Sequence, residues 1–236
     1  MARHCRKIHQ KKKMEAMVTW TIAALREMLP GDCGVSCRCR EPQPDTLTTA
    51  EISRMKTAGD TRRADFIAGR SAAREALAHV GILDAEIPVG PRGEPLWPQG
   101  TVGSISHAGG IAVAAATRSD ALAALGLDIE LTGAVTRDVW ADILRPSEMA
   151  FVNSQPEKGR DKIATALFCL KEAFYKFQYP QTHLWLEFKD VDVVLDGQTS
   201  RCRLTPRQPI TIGARIITEF AGHYRIGEAL TIAAVF

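Results

Sequence analysis

Residues 168–177 read FCLKEAFYKF, a segment with the spacing of a buried helix that nevertheless carries Lys171, Glu172 and Lys176. Ile163, Leu167, Leu170, Phe174 and Phe177 recur every three or four residues, the stripe that a core-facing helix presents. At about 100° per residue, Glu172 and Lys176 fall nearly opposite that stripe, one turn apart. A Glu–Lys pair at this spacing on an exposed face contributes about 0.2–0.5 kcal/mol, so helix geometry alone reads these charges as solvated. Phe168 and Tyr175 project to the same side, with Lys171 on its flank. A face that mixes aromatics with cations is one that a ligand or another part of the protein covers.

Upstream stands GLDIE, residues 126–130. As a strand it turns Asp128 and Glu130 to one face and Leu127, Ile129 and Leu131 to the other. Neighbouring carboxylates resist joint ionisation unless a cation lies between them, and hard oxygen ligands suit Mg2+ or Mn2+. A polar strand edge would read the same way, so D-x-E is a weak signal on its own. GSISHAGG, residues 103–110, sets Ser106 and His107 before a glycine pair. Adjacent strand residues point in opposite directions and no G-x-S-x-G elbow is present, which argues against a hydrolase triad. A histidine beside a turn does suit oxyanions. Arg62, Arg63, Arg70 and Arg74 in a helical segment, and Arg92 in GPRGEPLWPQG, add guanidiniums whose planar forks fit phosphates. Together these groups are the equipment of phosphoryl-group chemistry.

With 236 residues, 45% hydrophobic and 24% charged, the chain suits one generous soluble domain or two small fused ones. It contains no run of about 18 apolar residues and no apolar stretch behind its basic start, so the expected compartment is the cytoplasm and no membrane partner is expected. The formal net charge of +3 is concentrated in MARHCRKIHQKKK, where Arg3, Arg6, Lys7, Lys11, Lys12 and Lys13 meet no acid. That block reads as a mobile basic arm, with Met14 or Met17 as alternative functional starts. Removing its six cations leaves 24 Lys and Arg against 27 acids, which does not argue for a nucleic-acid partner. Cys33, Cys37 and Cys39 cluster without the second ligand pair of a zinc site, and the six cysteines read as reduced and structural.

Along the chain, 14–29 reads as a helix, followed by a loop through Pro44. A short helix starts at Thr48 or Thr49, and a longer one covers about 60–80 with Phe66, Ile67, Leu77 and Val80 inward and its arginines outward. TVGSISHA and GIAVAAATR form a hairpin, and ALAALGLDIEL is a third strand. Helices follow over 136–153, bent or ended by Pro146, and over 161–178. VDVVLD, ITIGARIITEF and YRIGEALTIAAVF alternate as strands do. The pattern predicts two α+β halves, with no residue-level repeat between them.

In order and spacing, RRADFIAGRSAAR (62–74), GSISH (103–107), GLDIE (126–130) and FCLKEAFYK (168–176) resemble the 4′-phosphopantetheinyl transferases over about residues 45–190. RGEPLWPQGTVGSISHAGG is most similar to the branch that includes the enterobactin-synthase transferase. The resemblance implies an α+β fold of two similar α/β subdomains related by a pseudo-twofold axis. These would cover 30–125 and 126–236, the second carrying the metal and catalytic motifs, after an N-terminal extension over 1–29 made of the basic arm and a helix. It implies transfer of the 4′-phosphopantetheine arm of coenzyme A to a serine hydroxyl of an acyl, peptidyl or aryl carrier protein, with Mg2+ (or Mn2+) as cofactor and adenosine 3′,5′-bisphosphate as by-product. A monomer is the default.

Carried over by position, Asp128, Glu130 and Glu172 would hold the metal, and Asp128, Glu172 and Lys176 would form the catalytic set. Glu172 would take the serine proton, and Lys176 would contact the diphosphate with Lys171 nearby. His107, beside Ser106, would bind the 3′-phosphate with Arg92, and Arg62 or Arg63, Arg70 and Arg74 would hold the nucleotide end. Phe168 stands where many members have Trp, and Glu94 where some have Lys, which leaves that role to Arg92. A metal-dependent nuclease and a non-catalytic binding module are the rival readings; the three carboxylates together with GSISH favour the transferase.

Overall fold

The structure is a computed structural model that describes residues 2–40, 47–52 and 59–236, with side chains described from residue 10 onward. The chain divides into two units, Met1–Ala121 and Leu122–Phe236, and each lays one long helix across an antiparallel sheet.

The first unit runs α1 (Ala2–Met28), β1 (Gly34–Cys39), α2 (Thr49–Ile52), α3 (Asp60–His79), β2 (Thr101–Ala108) and β3 (Ile111–Arg118), with strand order β1-β3-β2. α1 extends back through the basic segment, beyond the helix expected over 14–29. Its residues are good helix formers with no Gly or Pro before Pro30. Met17, Thr21, Ala24, Leu25 and Met28 are buried at helical spacing where α1 meets β1, while Lys11, Lys12 and Lys13 are exposed. β1 lies where a loop was expected, because its Gly- and Cys-rich composition resembles a turn; it pairs with Ile111–Ala116 of β3. The inner face of α3 is built from Ala72, Ala73, Ala76 and Leu77, all fully buried, rather than from Phe66 and Val80. Alanine is too small to mark a face in a hydrophobic pattern, yet it lets a helix lie close on a sheet.

The second unit runs β4 (Gly126–Leu131), α4 (Trp140–Ile143), α5 (Pro146–Ser154), α6 (Glu157–Thr182), β5 (Val191–Asp196), β6 (Arg201–Pro206), β7 (Ile210–Ile212), β8 (Arg215–Ile217), β9 (Phe220–Ile226) and β10 (Leu230–Val235). Its sheet order is β4-β10-β9-β6-β5, and β7 and β8 form a separate ribbon. α6 packs on β4, β10 and β9 through Leu167, Leu170 and Phe174, whose ring meets Phe220 edge-on at 4.9 Å. Pro146 begins α5 rather than bending one longer helix, since its missing N–H is no loss in a first turn. Among the described residues, no helix is long and apolar enough to cross a membrane.

The units do repeat each other at residue level, against the expectation from sequence. α2 and α5 begin at 49 and 146, and α3 and α6 at 60 and 157, a shift of 97 in both cases. In the first unit buried Glu51 accepts the Thr48 N–H at 3.0 Å, the Ile87 N–H at 3.1 Å and the Arg74 guanidinium at 2.8 and 2.9 Å. In the second, buried Glu148 accepts the Arg145 N–H at 2.8 Å, the Val193 N–H at 2.8 Å and the Lys171 ammonium at 2.7 Å. Each clamp thus ties the start of a short helix to an extended segment and to the long helix. Gly34 and Gly126 open the first strands, and a Cβ there would lie 2.0 Å from the Ala76 carbonyl oxygen and 1.9 Å from that of Ala173. These alanines are again 97 apart.

Gly126→Ala must push α6 off β4, and it should destabilise the protein by about 1–3 kcal/mol or more in urea unfolding. Gly159→Ala, in α6 with open space around it, is the control and should be neutral or stabilising. Equal midpoints for the two variants would refute the close-approach argument.

Candidate active site

Gly126, Asp128 and Glu130 share the β4 face that α6 covers, as the alternation of the strand requires. Asp128 is buried and Glu130 half-buried. From α6, Glu172 and Lys176 reach the same place, one turn apart. The Lys176 ammonium donates to Asp128 Oδ1 at 2.7 Å and keeps about a quarter of its side chain exposed. The charges on FCLKEAFYKF therefore do not form an open solvated face: Lys171 is buried, Glu172 and Lys176 are half-buried, and α6 is buried around most of its circumference from Ala164 to Tyr179.

Electrostatics show the strain of this cluster. Burial, then the charges of Asp128 and Glu172, push the Glu130 carboxyl up to about 7 against the pull of Lys176. Glu172 is raised by burial and by Asp128. Burial would lower Lys176, but Asp128 and Glu172 outweigh it and hold the ammonium charged. Behind the cluster, burial lifts the Cys169 thiol well above its ordinary range; its Sγ lies 3.7 Å from the Thr231 carbonyl, and it is an inert thiol. Burial also pushes Cys37 and Cys202 up to about 12, and no disulfide joins the described cysteines.

Among the described residues, no three His, Cys, Asp or Glu side chains converge on one metal-sized point; the Lys176 ammonium is seated on Asp128 instead. The donor set nonetheless fits a hard divalent cation in its chemistry. Three carboxylates face one ammonium, and the raised proton affinity of Glu130 and Glu172 is a stress that such an ion relieves.

Three residues proposed from sequence as ligand contacts also have partners inside the fold. Lys171 is 3% exposed and donates to Glu148 Oε2 at 2.7 Å and to the carbonyls of Ile143 and Phe188 at 3.0 and 2.8 Å. An ammonium has three protons, so this one is fully used inside the fold. Arg74 belongs to the Glu51 clamp. Arg70 is buried, donates from Nε to the Ile87 carbonyl at 2.7 Å and stacks 4.4 Å from the Phe66 ring, with burial pushing it down to about 10. Of the other first-unit candidates, Arg62, Arg92 and His107 are exposed and Arg63 half-buried, while Ser106 is buried on the face of β2 opposite His107. Glu94 accepts the Arg92 backbone N–H at 2.9 Å and so holds its own turn.

One feature escaped the sequence reading. A cavity of about 550 Å³ opens beside Glu172, lined by Asp142, Tyr175, Trp185, Leu186 and Phe188. Trp185 stands edge-on to Tyr175 at 5.4 Å yet is 68% exposed. An aromatic-rich HLWLEF just past the helix end was the available signal.

The chain as a whole is similar to known proteins. Residues 50–117 match the profile of the 4′-phosphopantetheinyl transferase N-terminal domain, and residues 124–227 that of the 4′-phosphopantetheinyl transferase superfamily. The chain is 32% identical to 4′-phosphopantetheinyl transferase Svp of Streptomyces mobaraensis over 195 residues, covering 80% of this chain and 78% of that one. It is 34% identical to 4′-phosphopantetheinyl transferase PptT of Mycobacterium tuberculosis over 181 residues, 74% and 78% of the two chains. Enterobactin synthase component D of Salmonella typhi is 41% identical over 86 residues, 36% of this chain and 35% of that one. Both profiles, in the order of the two units, together with relatives matched along most of their length, make this chain a member of the 4′-phosphopantetheinyl transferase superfamily.

Proposed function

We infer that this protein transfers the 4′-phosphopantetheine arm of coenzyme A to a serine hydroxyl of an apo acyl, peptidyl or aryl carrier protein. The serine oxygen bonds to the β-phosphorus, the bond from that phosphorus to the nucleotide side of the diphosphate breaks, and adenosine 3′,5′-bisphosphate leaves. Beyond family membership, the observation that carries this reading is the Asp128–Glu130–Glu172–Lys176 cluster at the β4–α6 contact. Asp128, Glu130 and Glu172 would hold Mg2+, which when bound neutralises diphosphate charge. Lys176 donates to the anionic diphosphate. Glu172, whose raised proton affinity suits a base, accepts the serine proton. Arg62, Arg63, Arg92 and His107 are assigned to the nucleotide phosphates. The reading places the protein in the cytoplasm, acting as a monomer and without a nucleic-acid partner.

Incubation with coenzyme A, Mg2+ and a panel of apo carriers should add the mass of one phosphopantetheine to a carrier. No gain on any carrier would overturn the function.

Among the charged and apolar residues that line the cavity beside Glu172, the Tyr175, Trp185 and Phe188 rings suit the gem-dimethyl part of the pantetheine arm. Trp185→Ala should raise the KM for coenzyme A about tenfold, the worth of ~1.4 kcal/mol of lost contact, and leave inhibition by adenosine 3′,5′-bisphosphate unchanged. If inhibition by the nucleotide weakens equally, the arm lies elsewhere.

A further inference from the structure

The correspondence between the two units reaches the catalytic cluster itself, with a shift of 92 residues on the first strands and 97 on the helices. β1 meets β3 with Gly34 opposite Ala116, Ser36 opposite Ala114 and Arg38 opposite Ala112. β4 meets β10 with Gly126 opposite Val235, Asp128 opposite Ala233 and Glu130 opposite Thr231. The third strands agree, because Gly103 faces Ala116 and Gly222 faces Val235. With the close-packed Gly34 and Gly126 as anchors, Ser36 stands at the position of Asp128 and Arg38 at that of Glu130. On the helices, the shift that pairs Ala76 with Ala173 puts Glu75 at the position of Glu172 and His79 at that of Lys176.

These counterparts also meet. The Ser36 hydroxyl and Arg38 Nε both donate to Glu75 Oε2, the second at 2.9 Å. Burial would raise the Glu75 carboxyl, but Ser36, Arg38 and His79 outweigh it and leave it below its ordinary range. The C-terminal cluster sets three carboxylates against one ammonium; here one carboxylate meets one guanidinium and a hydroxyl. A site that needed an outside cation therefore has one of its own.

We propose that the N-terminal unit carries a silenced twin of the carboxylate cluster, in which the Arg38 guanidinium is the built-in cation for Glu75. The inference rests on the reading that Asp128, Glu130 and Glu172 hold a divalent ion. It restricts that ion to one per chain, in the C-terminal unit, and assigns Ser36, Arg38 and Glu75 to holding β1 against α3 without metal.

Mn2+ binding to the full chain, followed by electron paramagnetic resonance, tests both statements separately. The wild type should bind one Mn2+ that Glu172→Gln removes; a wild type that binds none overturns the metal reading and the twin with it. Ser36→Asp with Arg38→Glu should install a second Mn2+ site, lost again when Glu75→Gln is added. If that variant is folded and binds no second ion while the wild type binds one, the twin alone is overturned. The reciprocal exchange decides the matter should the first variant fail to fold. In EDTA, Asp128→Ser with Glu130→Arg should melt about 2–4 °C above Asp128→Ser with Glu130→Gln, because only arginine supplies the missing cation. Equal melting of that pair overturns the proposal.

Discussion

Glu172→Gln should slow phosphopantetheine transfer by about 10²–10⁴-fold while the protein unfolds at the wild-type urea concentration or above it. The side chain sits half-buried on α6 among like charges, and burial with Asp128 already raises its proton affinity. Glutamine keeps the shape and removes both the charge and the ability to take a proton. In the absence of metal, one fewer of three mutually repelling carboxylates relaxes the fold rather than weakening it. Single-turnover mass spectrometry gives the rate, and circular dichroism in urea gives the stability. Near-normal turnover would sink the assignment of Glu172 as base and ligand together.

Lys171→Met, one residue earlier, should behave in the opposite way and cost about 3–5 kcal/mol of stability. Its ammonium is the countercharge of Glu148, which is buried and would be left with only the Arg145 and Val193 N–H groups. Burial pushes Glu148 up and Lys171 down, and their direct contact opposes both shifts, so either partner alone is a stranded charge. Lys171→Met combined with Glu148→Gln should therefore recover part of the loss. A loss below about 1 kcal/mol for the single variant would return Lys171 to the solvated or ligand-binding role that sequence suggested.

Much of this was legible before any coordinates. The α6 stripe, the β2–β3 hairpin and the shared face of Asp128 and Glu130 all follow from periodicity, since strong apolar residues mark those faces. What stayed hidden depends on small residues and on partners distant in sequence. The inner face of α3 is alanine, and β1 is written in Gly, Ser and Cys, so neither has a hydrophobic signature. Arg70 and Arg74 read as surface because a lone arginine gives no sign of a buried carbonyl or a Glu51 waiting for it. The same holds for Lys171, whose three acceptors come from α4, α5 and the turn before β5. The repeat escaped notice because it is conserved in geometry, with Arg standing for Lys and a glycine fixed only where a helix carbonyl would strike a Cβ.

The place of β10 also constrains how the protein comes into being. Asp128 and Glu130 lie opposite Ala233 and Thr231, about a hundred residues later in the chain, whereas β1 finds its partner β3 by Arg118. A ribosome can therefore release a finished N-terminal sheet while the carboxylates still lack their neighbouring strand. A chain stalled before Leu230 would be half folded and inert, so activity appears only after synthesis has passed β10.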